Sequence, residues 1–338
     1  MSTASHAPGR PSRTQTIFVT GAAGFIGYSV SLALLEHGIK VIGVDDLNDY
    51  YPVALKQARL DLLSSHSGFT FHRHDISDHA GLLALPGVTD ADVVIHLAAQ
   101  AGVRYSLENP FAYAASNLVG HLSILELVRQ AAKRPLLVYA SSSSVYGANT
   151  KVPFSESDPV NSPVSLYAAT KRADELMSES YARLYGMRQI GLRFFTVYGP
   201  WGRPDMAYWS FAEKILASEP IKVFNHGKLE RDFTYVDDVV AGVVATALQP
   251  MKPVGDVPHR IYNIGNNKPV QLMRFIEILE RVIGKKAQIE FEPMQAGDVH
   301  STYADVSAIA ADYGYAPSTA LETGIPIFVD WFRNYKGI

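Results

Sequence analysis

The chain has 338 residues, of which 47% are apolar and 19% charged, and a net charge of -3. This ordinary globular mixture suffices for one large or two modest domains with a sizeable core, and it gives no support for a nucleic-acid or membrane surface. The absence of cysteine excludes disulfides, thiolate metal sites and a cysteine nucleophile, and is compatible with a reducing cytoplasm.

Met1–Arg13 is rich in Ser, Ala, Pro and Arg without an apolar run, which fits neither a signal peptide nor an anchor, so residues 1–14 read as a disordered leader. No later stretch approaches the ~20 apolar residues of a membrane span. Thr16–Thr20 is a short apolar, β-branched strand, followed at once by Gly21-Ala22-Ala23-Gly24-Phe25-Ile26-Gly27. Ile26, Val30, Ala33 and Leu34 then fall at helical spacing, and Lys40–Val44 is the next strand, closed by Asp45 and Asp46. Strand, glycine turn, helix, strand and acid form a dinucleotide-binding unit. The glycines allow a pyrophosphate close to the helix N-terminus, where unpaired N–H groups favour an anion. Asp45 is spaced to accept hydrogen bonds from the adenosine ribose, and its charge repels a 2′-phosphate, which favours NAD over NADP. Asp46 has the plainer reading of a solvated turn residue.

Strands at Phe69–His74, Asp92–Leu97 and Leu136–Ala140 alternate with helices near Tyr51–Ser65, Asn109–Ala132 and Tyr167–Tyr185, the pattern of a parallel sheet covered on both faces. His72 and His74 share a strand face, but no third and fourth ligands accompany them, so no metal site is expected. Asp75 is placed at the edge of an adenine pocket. The serine run Ser141-Ser142-Ser143-Ser144 ends one strand, and Tyr167-Ala168-Ala169-Thr170-Lys171 opens the following helix. Residues four apart share a helix face, so Tyr167 and Lys171 point the same way. An ammonium near a phenol favours the phenolate, and a serine hydroxyl can share the transferred proton. Taken alone, the pair also suits an ordinary amphipathic helix with a surface Lys and a half-buried Tyr.

After Gly186 the pattern changes to a strand over Gln189–Val197, a helix over Ala207–Ser218, and a short strand at Ile221–Phe224. Asp237 and Asp238 open a helix, Val239–Leu248, where acids suit the positive end. A strand at Ile261–Ile264, a helix at Leu272–Ile283 and short elements around Gln288–Phe291 and Thr302–Asp305 close the chain. No Gly/Ser linker separates the halves. The expected fold is α/β: a Rossmann-type doubly wound parallel sheet over residues 15–187, with 232–264 returning to it. A smaller interleaved C-terminal substrate lobe takes 188–231 and 265–338.

Together, Gly21-x-x-Gly24-x-x-Gly27, Asp45, His96-Leu97-Ala98-Ala99-Gln100, Asn117, Ser142, Tyr167 and Lys171 resemble the extended short-chain dehydrogenase/reductase superfamily, from Thr16 over nearly the whole chain. The resemblance implies NAD held by Gly21, Gly24, Phe25, Ile26, Gly27, Asp45, Asp75, Ile76, Leu97, Ala98, Ala99, Gln100, Asn117, Tyr167 and Lys171. It implies a nucleotide-sugar in the C-terminal lobe, with Tyr167 as the proton-transfer group and Ser142, Ser143 and Ser144 beside it. Arg231 would meet the diphosphate and Asp298 the nucleoside ribose. Helices of the superfamily commonly form a four-helix bundle, which implies a homodimer, in the cytoplasm, with no nucleic-acid or membrane partner.

Members that eliminate water or decarboxylate usually carry an acid just before Val-Tyr-Gly, where this chain has Ser144. The chain therefore resembles an epimerase. The segments around Asp45–Tyr51, Phe195–Ala207 and Arg231–Asp238 are similar to UDP-glucuronate 4-epimerases. A uronate carboxylate needs a partner, and Arg203 supplies a fork of donors and Thr196 a hydroxyl. Gln295 stands where galactose-type enzymes generally place an arginine. The rival enzyme readings are a 4-epimerase of a neutral or N-acetylated UDP-hexose, and then a UDP-glucuronate decarboxylase. Outside catalysis stands a silent NAD-binding protein, which has little need of an intact Ser, Tyr and Lys set.

Overall fold

Apolar, β-branched runs alternate with helical periodicity through the first half of the chain, and most of those runs become strands buried on both faces. The computed structural model describes residues 15–252, 255–294 and 299–338. The leader at 1–14, Gln295 and Asp298 lie outside the described residues. Strands β1 (Thr16–Thr20), β2 (Lys40–Asp45), β3 (Phe69–Arg73), β4 (Val93–His96) and β5 (Leu136–Ser142) come first. Between them run α1 (Phe25–Glu36), α2 (Val53–Ser64), α3 (His79–Ala84), α4 (Tyr105–Glu108), α5 (Pro110–Tyr113) and α6 (Gly120–Gln130), and α7 (Leu166–Tyr185) follows β5. The second half holds β6 (Gln189–Phe194), β7 (Thr196–Tyr198), α8 (Ala207–Ala217), β8 (Pro220–Phe224), β9 (Glu230–Tyr235), α9 (Val236–Leu248) and β10 (His259–Ile264). It ends with β11 (Pro269–Gln271), α10 (Leu272–Ile283), β12 (Gln288–Glu292), β13 (Ser301–Thr302), α11 (Ser307–Tyr313) and α12 (Leu321–Lys336).

The main sheet has seven strands in the order β3-β2-β1-β4-β5-β6-β10, and every pair is parallel. Alternate residues of β1 feed opposite cores, Ile17 and Val19 on one face and Phe18 on the other. Strand order reverses between β1 and β4, so the chain leaves their carboxyl ends in opposite directions and opens a crevice there. A second sheet gathers β7, β11 and β13 around β9, and β8 pairs with β12.

Three expectations change. The single strand at Gln189–Val197 is two: β6 bonds to β5 and β10, and after Phe195 the chain crosses so that β7 bonds to β9. The division at residue 188 therefore fails, because β6 belongs to the main sheet and β9 to the second. The last helix, α12, was not anticipated although Leu321, Gly324, Ile325, Phe328, Val329 and Phe332 are buried at helical spacing; Pro326 interrupts the signal. Finally, Pro110–Gln130 is long and apolar enough to cross a membrane, where no such stretch was expected. Half of it is buried, and Ile124, Leu125, Leu127 and Val128 account for its apolarity by packing into the core.

Candidate functional site

The crevice widens into a cavity of about 460 Å³, walled at one end by the turn after β1 and at the other by the loop after β7. Gly21 has φ +72°, and a Cβ on it would stand 2.8 Å from the amide nitrogen of Ala98, so only glycine lets β1 and β4 end so close together. A Cβ on Gly27 would meet the Gly21 carbonyl at 1.9 Å, which fixes how deeply α1 seats against its own turn. No side chain caps α1, and Gly24, Phe25, Ile26 and Gly27 lie on the cavity wall. Asp45 accepts from the amides of Ala23 (3.1 Å) and Leu47 (2.9 Å). Burial pushes its carboxyl above the usual range, and Lys56 and those amides pull it back. Asp75, Ile76, Leu97, Ala98, Ala99 and Gln100 also line the cavity. This cradle, glycine turn, uncapped helix and buried acid, fits a dinucleotide.

Asn117 is the exception among the expected cofactor residues. It stands in a π-helical turn, Ala114–Val119, behind the wall. Its amide accepts from the Gln100 N–H (2.8 Å) and donates to the Gln100 carbonyl (3.1 Å) and to Thr170 (3.0 Å), so it holds the wall to α7. Asp46 accepts from Asn48 in a local turn. His74 passes the end of β3 and turns to Asp78, and among the described residues no three His, Asp or Glu side chains gather as metal ligands.

At the middle of the cavity, Ser165 caps α7 by accepting from the Ala168 amide, and the first two turns of the helix present Tyr167 and Lys171 to the space. Ser142, Ser143 and Ser144 line the facing wall. The Ser142 hydroxyl accepts from the Ser144 amide at 3.2 Å, which leaves its own proton to donate. Ser141 turns the other way and donates to Glu175 at 2.7 Å. The Lys171 ammonium, almost wholly buried, donates to the Ala140 carbonyl (3.0 Å) and to Asp174 (3.2 Å), with one donor left for the cavity. Burial pushes the Asp174 carboxyl up to about 7 although Lys171 opposes it. Burial, helped by the Lys171 charge, also pushes His96 behind the wall down to about 3, so that imidazole stays neutral.

At the far end Thr196, Arg203 and Arg231 all reach the cavity wall. Arg231 donates to the carbonyls of Glu230 (2.8 Å) and His300 (3.3 Å). Arg203 forks onto Asp205, with Nε 3.0 Å from Oδ1, and the Tyr50 hydroxyl donates to the same carboxylate at 3.2 Å. Burial pushes the Asp205 carboxyl up, and Arg203 outweighs it and holds the group below the usual carboxylate range. Sequence reasoning missed this pair, along with Lys56 and Arg59. The signal available was a Lys and an Arg three apart on an otherwise apolar helix stripe, Leu55, Lys56, Arg59, Leu60 and Leu63, all of them buried.

A family model described as the NAD dependent epimerase/dehydratase family matches residues 17–265. The chain is 47% identical to UDP-glucuronate 4-epimerase 1 of Arabidopsis thaliana over 95% of its own length and 77% of the relative's. It is 43% identical to a probable UDP-glucuronate 4-epimerase of Rhizobium meliloti, over 94% and 97% of the two chains. The solved UDP-glucuronic acid 4-epimerase from Bacillus cereus, in complex with UDP-glucuronic acid and NAD, superposes with a TM-score of 0.87 at 34% identity, covering 95% of this chain and all of that one.

Proposed function

The chain belongs to the NAD dependent epimerase/dehydratase family, and on that basis we propose that it interconverts UDP-glucuronate and UDP-galacturonate by inverting C4. One observation carries this reading. A single cavity runs from a dinucleotide cradle, past Tyr167, Lys171 and Ser142, to a wall bearing Arg203 and Thr196. NAD held there would supply a hydride acceptor and donor at C4, so that this carbon can be oxidised and then reduced on its opposite face. Gly21, Gly24, Gly27 and Asp45 hold the cofactor's pyrophosphate and adenosine ends. Tyr167 removes the C4 hydroxyl proton and later restores it, with Ser142 and Ser144 donating hydrogen bonds to the same oxygen. Lys171 stabilises the phenolate.

The 4-keto uronate is a β-keto acid, which loses carbon dioxide when its carboxylate bond aligns with the ketone π system. Arg203 and Thr196 hold the carboxylate out of that alignment, and neither Ser143 nor Ser144 offers an acid. This favours epimerisation over decarboxylation and a uronate over a neutral hexose. Arg231 faces the diphosphate. The enzyme works as a homodimer through α6 and α7, in the cytoplasm, with which a chain without cysteine is compatible.

Incubating the NAD-loaded enzyme with UDP-glucuronate, UDP-glucose and UDP-N-acetylglucosamine, each followed by proton NMR, tests the reading. UDP-galacturonate should form without added oxidant or reductant. Turnover confined to the neutral sugars, or UDP-pentose as the main product, would contradict it.

A further inference from the structure

Arg59 is wholly buried on α2 and is absent from the cavity wall, yet all five of its N–H donors are used. Nε and Nη2 both reach the carbonyl of Trp201, at 3.1 and 2.7 Å, and Nη2 also reaches that of Gly202 at 2.9 Å. Nη1 donates to the Ala23 carbonyl at 2.7 Å and to the Tyr51 hydroxyl at 2.8 Å. Every acceptor is a neutral oxygen. A buried guanidinium with no carboxylate among its acceptors is a costly way to fill space. What the planar fork adds is fixed geometry between segments far apart in the chain.

Those segments are the two ends of the site. Ala23 lies inside the glycine turn, and its amide is one of the two that Asp45 accepts from. Trp201 and Gly202 lead directly into Arg203. Trp201 has φ +60°, a left-handed conformation strained for a bulky residue, so its carbonyl needs a holder. Its ring is set from the same side, 5.7 Å from Tyr28 on α1 and 5.1 Å from Trp331 on α12. A continuous chain of bonds thus runs from Asp45 through Ala23 and Arg59 to the backbone that aims Arg203.

We propose that Arg59 is a positioning residue that aims Arg203 from the cofactor side, so that preference for a uronate depends on a side chain outside the cavity. The inference rests on the reading of Arg203 as the carboxylate contact. Lysine has three donors and no fork, so Arg59→Lys keeps the charge and loses the simultaneous hold on Ala23, Trp201 and Gly202.

The test is calorimetric titration of the NAD-loaded parent and Arg59→Lys with UDP-glucuronate, UDP-glucose and UDP. Affinity for UDP-glucuronate should fall about tenfold or more, the scale of one charge-assisted contact, while UDP-glucose and UDP stay within about twofold. Equal loss for all three ligands, or no loss for any, overturns the proposal. Should Arg59→Lys not fold, Arg59→Gln keeps a donor without a buried charge and is read the same way. Failure of both to fold assigns Arg59 to stability alone and also overturns it. Arg203→Ala separates the two levels: parental uronate affinity there overturns the functional reading, whereas a loss there with none in Arg59→Lys overturns this inference only.

Discussion

At the scale of single residues, the proposed reaction divides the work between Tyr167, for proton transfer, and Arg203, for recognition. Tyr167→Phe removes one hydroxyl from a residue anchored at the cap of α7, so NAD and sugar affinities should stay near parental. Turnover should fall by about a hundredfold or more, the low end for acid–base catalysis. Full turnover in that variant would refute the assigned proton transfer. Arg203→Ala should weaken UDP-glucuronate binding about ten- to a hundredfold, as expected for a charge-assisted contact of ~1.5–3 kcal/mol. It also leaves Asp205 without its cation near a substrate of its own sign, so adding Asp205→Asn should recover part of the loss. UDP-glucose should bind both variants as it binds the parent, and calorimetry on the two sugars checks all of this. The role proposed for Arg203 could be read from the chain because it lies in a loop of recognisable residues. Its partners could not: Tyr50 is 155 positions from Asp205, and only the packed loops bring them together.

At the scale of elements, α7 carries more than Tyr167 and Lys171. Its next turn sets two acids side by side with opposite titrations. Burial opposes ionisation of Glu175, but Arg193 at 2.8 Å, Ser141 and Arg172 hold its carboxyl below the ordinary glutamate value of 4.5. Its contribution to stability is therefore present above that value and lost as pH falls through the lower folded value. Asp174 is raised from 3.8 to about 7, so the folded state holds its proton more tightly, and that contribution is lost as pH rises from about 4 to about 7. Removing one partner of a buried pair is costly, so Glu175→Gln should destabilise the fold by ~3–5 kcal/mol. Asp174→Asn should instead flatten the decline between pH 4 and 7. Denaturant unfolding at several pH values checks both, and the same pH dependence in parent and Asp174→Asn would count against the assignment. Tyr167 and Lys171 could be paired from helical spacing alone, whereas Glu175 finding Arg193 depends on β6 lying beside β5. That same placement defeated the expected division at residue 188.

At the scale of the whole molecule, the first half was legible because strand, turn and helix alternate over short distances, and the parallel pairing of the main sheet follows from that alternation. The second half was not, since its strands β7, β11 and β13 are brief and their pairing with β9 is set by tertiary contacts. The switch between sheets at Phe195 is one residue long and leaves no mark on hydrophobic periodicity. The helices α6 and α7 pack side by side and expose Leu122, Leu176 and Leu184, an apolar surface that Val119 in the preceding turn extends and that suits a second copy of the chain. Leu176→Glu with Leu184→Glu should shift the proposed dimer to monomer in sedimentation velocity, and an unchanged sedimentation coefficient would rule out that face. The central claim, transient oxidation at C4 within one cavity, has a more direct test. UDP-glucuronate carrying deuterium at C4 is turned over by the NAD-loaded enzyme and the product is examined by NMR and mass spectrometry. The account predicts UDP-galacturonate with the label retained at C4. UDP-galacturonate whose C4 label has exchanged with solvent would contradict it.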